Sequence, residues 1–260
     1  MFDLSSAVIV GTVGALVGSF LNVCIYRLPR GESIVWPGSH CPSCGVAIRW
    51  YDNVPIMGYL WLRGHCRACG AAIPLRYPLV EAANAFGYLT LLWWFGPGWA
   101  TLFYAVLFSS LIVITGTDLS HKIIPNVITL PGIVLGLVGA ATVLPVSFRD
   151  GVLGMCIGGG ILWLLAWASP YLFGKEGMGG GDIKLLGMVG AFLGWKPALV
   201  TIMVGSLVGS IIGVTLIALR WLNRDEYIPF GPFLALGALV ALFFAQPLLD
   251  WYQGLLAPPY

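Results

Sequence analysis

Two aspartates at the ends of apolar segments are the residues of this chain best suited to chemistry. Asp118 follows the apolar run from Leu107 to Thr117, and Asp182 follows three glycines at 179–181. Ionisable groups at membrane depth are costly, so they are candidates for a functional site. Two carboxylates that lie close together share a proton, so one can take a proton from water while the other donates to a peptide carbonyl oxygen. The pair therefore predicts an aspartyl dyad that hydrolyses a peptide bond.

Each aspartate also has a structural interpretation. Asp182 can cap the N-terminus of the helix that follows it, and Asp118 can be a charge that meets water at the end of a span. Glycine permits the close approach of another backbone, so the stretch from Gly177 to Gly181 favours a packed site around Asp182. Both interpretations stay open, because one residue can cap a helix and also catalyse.

Four cysteines form two Cys-x-x-Cys pairs, Cys41 with Cys44 and Cys66 with Cys69, and the pairs are separated by 21 residues. Two such turns supply four thiolates, which suit a tetrahedral Zn²⁺ site. A four-thiolate site has no open position for substrate, so we expect it to stabilise a small domain. Two disulfides are the alternative, and a cytoplasmic location disfavours them because thiols stay reduced there.

The common nucleophile motifs are missing from the sequence. It contains neither Gly-x-Ser-x-Gly nor His-Glu-x-x-His, and its three histidines, His40, His65 and His121, are scattered. His40 and His65 each precede a cysteine pair, so we expect them to support the metal domain. We find no internal repeat and no Gly-x-Gly-x-x-Gly nucleotide fingerprint.

The composition is that of an integral membrane protein. The chain has 260 residues, of which 58% are hydrophobic and 9% are charged, whereas roughly 25% is usual for charged residues in soluble domains. The net charge is only +2, and 9 of the 24 charged residues lie between Arg27 and Glu81. That stretch is the expected soluble domain. The absence of a basic face interleaved with aromatic residues argues against nucleic-acid binding.

About 20 apolar residues cross a bilayer as a helix, and the chain has about eight apolar segments of this kind. We expect an all-α polytopic membrane protein with a zinc-ribbon-like insert between its first two spans. The predicted domains are a first span at 1–26, a cytoplasmic four-cysteine domain at 27–78 and a membrane domain at 79–260. The predicted spans are Leu4–Tyr26, Leu79–Phe95, Ala100–Thr117, Asn126–Leu144, Gly151–Phe173, a short Ile183–Gly194, Ala198–Leu219 and Phe230–Leu249.

The basic residues predict the orientation of these spans. With the cysteine domain in the cytoplasm, 11 of the 13 Lys and Arg residues lie inside, and only Arg149 and Lys196 lie outside. This is a strong positive-inside bias. The N-terminus is then outside, and both aspartates are at the cytoplasmic face. The inside residues are Arg27, Arg30, Arg49, Arg63, Arg67, Arg76, Lys122, Lys175, Lys184, Arg220 and Arg224.

Six motifs occur in an order that is familiar from one family. They are Gly18-Ser19-Phe20-Leu21-Asn22-Val23, the two cysteine pairs, Arg76-Tyr77-Pro78-Leu79-Val80-Glu81, Asp118 with Ile124-Pro125, Gly179-Gly180-Gly181-Asp182-Ile183-Lys184 and Ile228-Pro229-Phe230-Gly231-Pro232-Phe233. Together they resemble the type IV prepilin peptidases, and the resemblance covers nearly the whole chain.

The resemblance implies an aspartic protease of the bacterial inner membrane, with Asp118 and Asp182 as its catalytic residues. Such enzymes remove the short basic leader from prepilins and type II secretion pseudopilins at the cytoplasmic face. Many members also N-methylate the new N-terminal residue with S-adenosylmethionine, and the four-cysteine domain is associated with that activity. The expected partners are therefore a prepilin or pseudopilin and the lipid bilayer.

One position departs from the family pattern, because many relatives have Pro-Asp where this chain has Pro125-Asn126. Two other functions remain alternatives. One is a different Gly-x-Gly-Asp intramembrane protease, although the cysteine insert has no counterpart in the presenilin kind. The other is a channel or transporter, which predicts charges near the middle of a span and not at its rim.

Overall fold

The structure is a computed structural model that describes residues 4–174, 178–221 and 228–256. Within these ranges the chain forms nine α-helices and no β-strand, which confirms the all-α prediction. The helices are α1 (Leu4–Arg27), α2 (Met57–Trp61), α3 (Arg76–Phe95), α4 (Trp99–His121), α5 (Asn126–Thr142), α6 (Phe148–Phe173), α7 (Gly180–Leu193), α8 (Trp195–Ala218) and α9 (Gly231–Leu256). Each of the eight predicted apolar segments coincides with one of these helices.

Five of the described helices are long and apolar enough to cross a membrane, namely α1, α4, α6, α8 and α9. The other three apolar helices, α3, α5 and α7, do not meet that criterion. Helix α3 begins at Arg76 and buries Glu81 and Asn84. Helices α5 and α7 have 17 and 14 residues, or about 25 Å and 21 Å, against a hydrocarbon core of about 30 Å. The structure therefore supports a polytopic membrane protein with five candidate spans.

The chain divides into two compact units, one ending at Thr117 and the other beginning at Asp118. In the first unit, α1 packs closely against α3. A Cβ at Gly18 would lie 2.7 Å from the Cα of Glu81, and the side chain of Asn84 donates to the carbonyl oxygen of Gly14 over 2.8 Å. Small residues on α1 therefore let the two backbones approach, as is common between helices in lipid.

The second unit is organised around α7, the shortest of its described helices. Its residues from Leu185 to Phe192 are all buried, and it packs against α5, α6, α8 and α9. Gly190 of α7 and Gly154 of α6 meet backbone to backbone, which leaves no room for a Cβ at either position. Gly194, with a φ of 87°, ends the helix. A 14-residue helix suits this place because protein surrounds it.

Candidate active site and metal centre

Asp118 lies in the last turn of α4. The helix ends there because Lys122 takes a positive φ of 55°, and its N–H still donates to the carbonyl oxygen of Asp118 over 2.8 Å. The side chain of Asp118 is only 4% exposed. Its Oδ2 accepts a hydrogen bond of 2.9 Å from the backbone N–H of Gly231, the first residue of α9. The carboxylate is thus buried and fixed by a backbone donor.

Asp182 is the third residue of α7 and is 3% exposed. The residue that caps this helix is Gly179, so the interpretation of Asp182 as the N-cap is wrong. Its Oδ2 lies beside Gly179, 3.6 Å from where a Cβ would stand, and its Oδ1 is buried without a hydrogen-bond partner. A buried carboxylate oxygen without a partner is costly, and such atoms call for an explanation. Gly177 lies outside the described residues.

The two aspartates belong to the same unit. Ile124 packs between the residue that precedes Asp182 and the residue whose N–H donates to Asp118. Its Cβ lies 2.8 Å from the position a Cβ would take at Gly181, and its Cδ1 lies 3.2 Å from that position at Gly231. The loop between α4 and α5 therefore holds the start of α7 and the start of α9 together.

The glycines around Asp182 do not contribute equally to this packing. Gly181 makes the close approach to Ile124, whereas a Cβ at Gly180 would meet nothing within 4 Å. The sequence interpretation missed Gly231, which lies against Asp118 from 113 residues away in the chain. The sequence signal that could have identified Gly231 is the Ile228–Phe233 motif. This motif is part of the family pattern, but it had no assigned role.

A second contact joins α7 to the start of α5. The Nζ of Lys184 donates to the Oδ1 of Asn126 over 2.8 Å. Lys184 is one of the basic residues predicted to lie inside, and the structure shows that it also pairs with Asn126, the residue that departs from the family pattern. This pair lies two residues beyond Asp182 and two beyond Ile124, so it holds the same two elements that Ile124 joins.

The four cysteines that the spacing singled out form one cluster in the first unit. The sulfur atoms of Cys41, Cys44, Cys66 and Cys69 all lie within 4.8 Å of one another, and none of them is in a disulfide. Backbone N–H groups of Cys44 and Ser43 lower the pKa of the Cys41 thiol to about 6, whereas burial and the neighbouring thiols raise the pKa of Cys69 to about 11, so the four thiols do not ionise independently. Thiolates are the form that binds metal, so this cluster can hold a metal ion.

The two cysteine turns are built in the same way. Cys41 and Cys66 each donate through the backbone N–H to the carbonyl oxygen five residues on, at Val46 and Ala71. The expectation of no internal repeat is therefore wrong at this scale. The repeat is visible as His-Cys-x-x-Cys-Gly-x-Ala-Ile at 40–48 and 65–73. It escapes a search for long periods because each copy spans only nine residues.

Other contacts hold the cysteine insert in place. His40 and His65 are not part of the metal cluster; their Nδ1 atoms lie 3.0 Å and 2.7 Å from backbone carbonyl oxygens of their own turns. Arg67 donates two hydrogen bonds to Asp52, and this lowers the pKa of the Asp52 carboxyl below its ordinary value. Glu81 of α3 accepts a hydrogen bond of 2.7 Å from the backbone N–H of Ile56 and so connects the insert to that helix.

Two family models match the chain in succession. The model described as the bacterial peptidase A24 N-terminal domain matches residues 12–95. The model described as the type IV leader peptidase family matches residues 105–214, which include Asp118 and Asp182.

Curated relatives are similar over almost the full length. The chain is 38% identical to a protein from Xanthomonas campestris, over 92% of each chain. It is also 38% identical to a protein from Pseudomonas aeruginosa, over 92% of this chain and 91% of the other. A protein from Aeromonas hydrophila is also 38% identical, over 91% of this chain and 90% of its own. All three carry the name prepilin leader peptidase/N-methyltransferase. No solved structure matches.

Proposed function

Because this chain belongs to the type IV leader peptidase family, we propose that it removes the leader from prepilins or pseudopilins and then N-methylates the new N-terminus. The proposed catalytic pair for cleavage is Asp118 and Asp182. The observation that carries this assignment is the buried, unpartnered Oδ1 of Asp182 beside a second buried carboxylate.

The proposed cleavage follows from what a shared proton allows. One carboxylate of the pair removes a proton from water, and the water oxygen bonds to the carbonyl carbon of the scissile peptide. The protonated partner donates its proton to the carbonyl oxygen, and the tetrahedral species then breaks at its carbon–nitrogen bond while the leaving amine takes a proton. Gly231 holds Asp118 in position for these steps, and the Oδ1 of Asp182 is available to the reacting groups.

The cysteine cluster is proposed to hold a structural zinc ion. Four thiolates within 4.8 Å of one another fit a closed tetrahedral site, and such a site contributes directly to the folding of a small domain. Zinc would therefore fix the two cysteine turns against each other. We assign it no part in peptide hydrolysis, because its ligand set is already complete.

S-adenosylmethionine is the proposed methyl donor, and it supplies a methyl group on a cationic sulfur when bound. The residues that would bind S-adenosylmethionine cannot be identified by a nucleotide-binding fingerprint, because the sequence contains none. The orphaned Oδ1 of Asn22 in the first unit fits a ligand of this kind, because a buried acceptor without a donor suits a cationic or amine group.

We propose that the protein lies in the bacterial inner membrane with its N-terminus outside and both aspartates at the cytoplasmic face. The distribution of Lys and Arg supports this orientation. Two of the residues counted inside, Lys175 and Arg224, lie outside the described part of the chain. Eight membrane-inserted helices and the domain limits 1–26, 27–78 and 79–260 belong to the same proposal.

An ion-coupled transporter is the weaker candidate. Both aspartates lie within the last or first turn of a helix, whereas a transporter predicts charges near the middle of a span. A protease without methyltransferase activity is a closer alternative, and the same experiment separates it from our proposal.

The test is to incubate the purified protein with a prepilin and S-adenosylmethionine and to measure the intact mass of the product. We expect loss of the leader and addition of one methyl group. Asp118→Asn and Asp182→Asn keep the shape of each side chain but cannot form the dyad, and each should lower cleavage by about a hundredfold to ten-thousandfold, since acid–base catalysis contributes roughly 10²–10⁴.

Asp250→Asn is the matched control, because Asp250 is exposed near the end of α9 and its contact with Gln246 needs only an acceptor oxygen. It should cleave at the rate of the unmodified protein. Full cleavage by either dyad variant would refute the catalytic assignment. A cleaved but unmethylated product would leave the protease assignment standing and remove the methyltransferase.

A further inference from the structure

The first unit contains a cavity of about 360 Å³ between its helices and the cysteine insert. Its walls come from the last turns of α1, the first turns of α3 and both cysteine turns. Pockets that bind small organic molecules usually measure about 300–1,000 Å³ and combine apolar walls with a few polar groups. This cavity has that size, and the peptide-hydrolysing function does not use it.

Two acceptor groups line the cavity where α1 and α3 meet. Asn22 of α1 is 1% exposed; its Nδ2 donates to the carbonyl oxygen of Tyr77 over 3.0 Å, while its Oδ1 is buried and has no partner. Glu81 of α3 is 7% exposed, and its Oε2 accepts from Ile56. An amide oxygen and a carboxylate accept hydrogen bonds and cannot donate them when the carboxylate is ionised. Such a pair suits a ligand with several N–H donors and a positive charge.

An ammonium group has this chemistry, and a charge-assisted hydrogen bond to it is stronger than a neutral one. The methyl-transfer reaction involves two amines, the α-ammonium of the methyl donor and the new N-terminus of the cleaved pilin. Both have the chemistry that the acceptor pair would recognise.

We propose that Asn22 and Glu81 form the ammonium-binding pair of the methyl-transfer site and that this cavity is that site. The inference rests on the proposed methyltransferase function. In the reaction, the neutral amine of the pilin forms a bond to the methyl carbon while the carbon–sulfur bond breaks and its electron pair stays on sulfur. The proton lost from nitrogen passes to water. The cysteine turns then serve methylation by forming one wall of the cavity.

A purely structural role for Glu81 predicts a different result from this proposal. Its hydrogen bond from Ile56 needs an acceptor oxygen and no charge, and Glu81→Gln keeps that oxygen. If Glu81 only connects the insert to α3, the variant should bind ligands as the unmodified protein does. If it binds an ammonium group, the variant should bind that group at least about tenfold more weakly.

The test measures two quantities on the full-length protein in lipid nanodiscs. The first is the Kd of S-adenosylhomocysteine, which carries the donor's ammonium group, by calorimetry. The second is the KM of a synthetic peptide with the sequence of a cleaved pilin N-terminus. Glu32→Gln is the matched control, because Glu32 is an exposed carboxylate of the insert, and it should change neither quantity. Asn22→Ser replaces the amide by a shorter hydroxyl, which withdraws the second acceptor from its position in the cavity and tests the pair independently of Glu81.

A raised Kd for S-adenosylhomocysteine would assign the pair to the methyl donor, and an unchanged Kd with a raised peptide KM would assign it to the pilin amine. Unchanged values of both in folded Glu81→Gln and Asn22→Ser proteins would overturn the proposal. The same result would leave the proposed function intact, provided that the unmodified protein methylates. If the unmodified protein cleaves prepilin and neither methylates nor binds S-adenosylhomocysteine, both fail together.

Discussion

Gly231→Ala is the substitution that best tests how the proposed active site is held. Gly231 begins α9, and its N–H donates to the Oδ2 of Asp118. A Cβ at this position would lie 2.7 Å from that same Oδ2 and 3.2 Å from the Cδ1 of Ile124. The added methyl group therefore meets both the Asp118 carboxylate and the side chain of Ile124, which packs between Gly181 and Gly231.

The expected size of the effect follows from these distances. Ordinary contacts with a Cβ begin at 3.4 Å, so the Asp118 carboxylate must move by about 0.7 Å. A misplacement of about 1 Å costs roughly a hundredfold in rate when reacting groups depend on their alignment. We therefore expect kcat for leader cleavage to fall by between about tenfold and a hundredfold. The backbone of Gly231 is not in the positive-φ region, so alanine introduces no backbone strain.

The assay is the initial rate of prepilin cleavage in nanodiscs over a range of substrate concentrations, together with the unfolding temperature. Gly160→Ala is the matched control, since Gly160 lies within α6 and a Cβ there would meet nothing within 4 Å. The control should keep its kcat and gain slightly in stability, because alanine favours a helix over glycine by up to about 1 kcal/mol.

Gly231→Ala should unfold near the temperature of the unmodified protein while its kcat falls. A kcat within about twofold of the unmodified protein would refute the reasoning, because it would show that the position of the Asp118 carboxylate is not limiting. A fall in the unfolding temperature that matches the loss of activity would show that the change acts on folding and not on the dyad.

Two further predictions concern the metal and the contact between α5 and α7. Cys41→Ser should lower bound zinc well below one equivalent by elemental mass spectrometry, whereas Cys156→Ser should keep it; an unchanged zinc content in the first variant would exclude a four-thiolate site. Lys184→Met should slow cleavage about two- to tenfold, because it removes a hydrogen bond worth about 0.5–1.5 kcal/mol next to Asp182. Asn126→Asp preserves an acceptor for Lys184 and should keep the rate; equal rates in all three proteins would show that this contact does not position the dyad.

Much of the architecture could be predicted because it depends on local chemistry. Apolar segments about the length of a span became helices, since a helix satisfies its backbone polar groups internally. The cysteine spacing predicted a four-thiolate cluster because each turn brings its two thiols together without help from the rest of the fold. The repeated His-Cys-x-x-Cys-Gly-x-Ala-Ile sequence was equally visible and would have predicted that both turns have the same hydrogen bonds.

The number of membrane spans could not be settled in this way, because apolar length alone does not say what surrounds a helix. Helix α7 has the composition of a span but only 14 residues, and other helices of its unit bury it. The side chain of Asn84 in α3 donates a hydrogen bond to the carbonyl oxygen of Gly14 in α1. It therefore avoids the free-energy cost of burying a polar group without a hydrogen-bond partner.

The sequence by itself determined the helices, the four-cysteine cluster that can hold a metal ion and the two carboxylates that could form a dyad, because each is marked by residue type and local spacing. Only the tertiary structure decided which residues hold Asp118 and the helix of Asp182 in place. Gly231 reaches Asp118 across 113 residues, Lys184 finds Asn126 across 58, and Asn84 finds Gly14 across 70. Contacts at such separations depend on how helices pack, and no local pattern encodes the partner of a glycine N–H or of a buried amide.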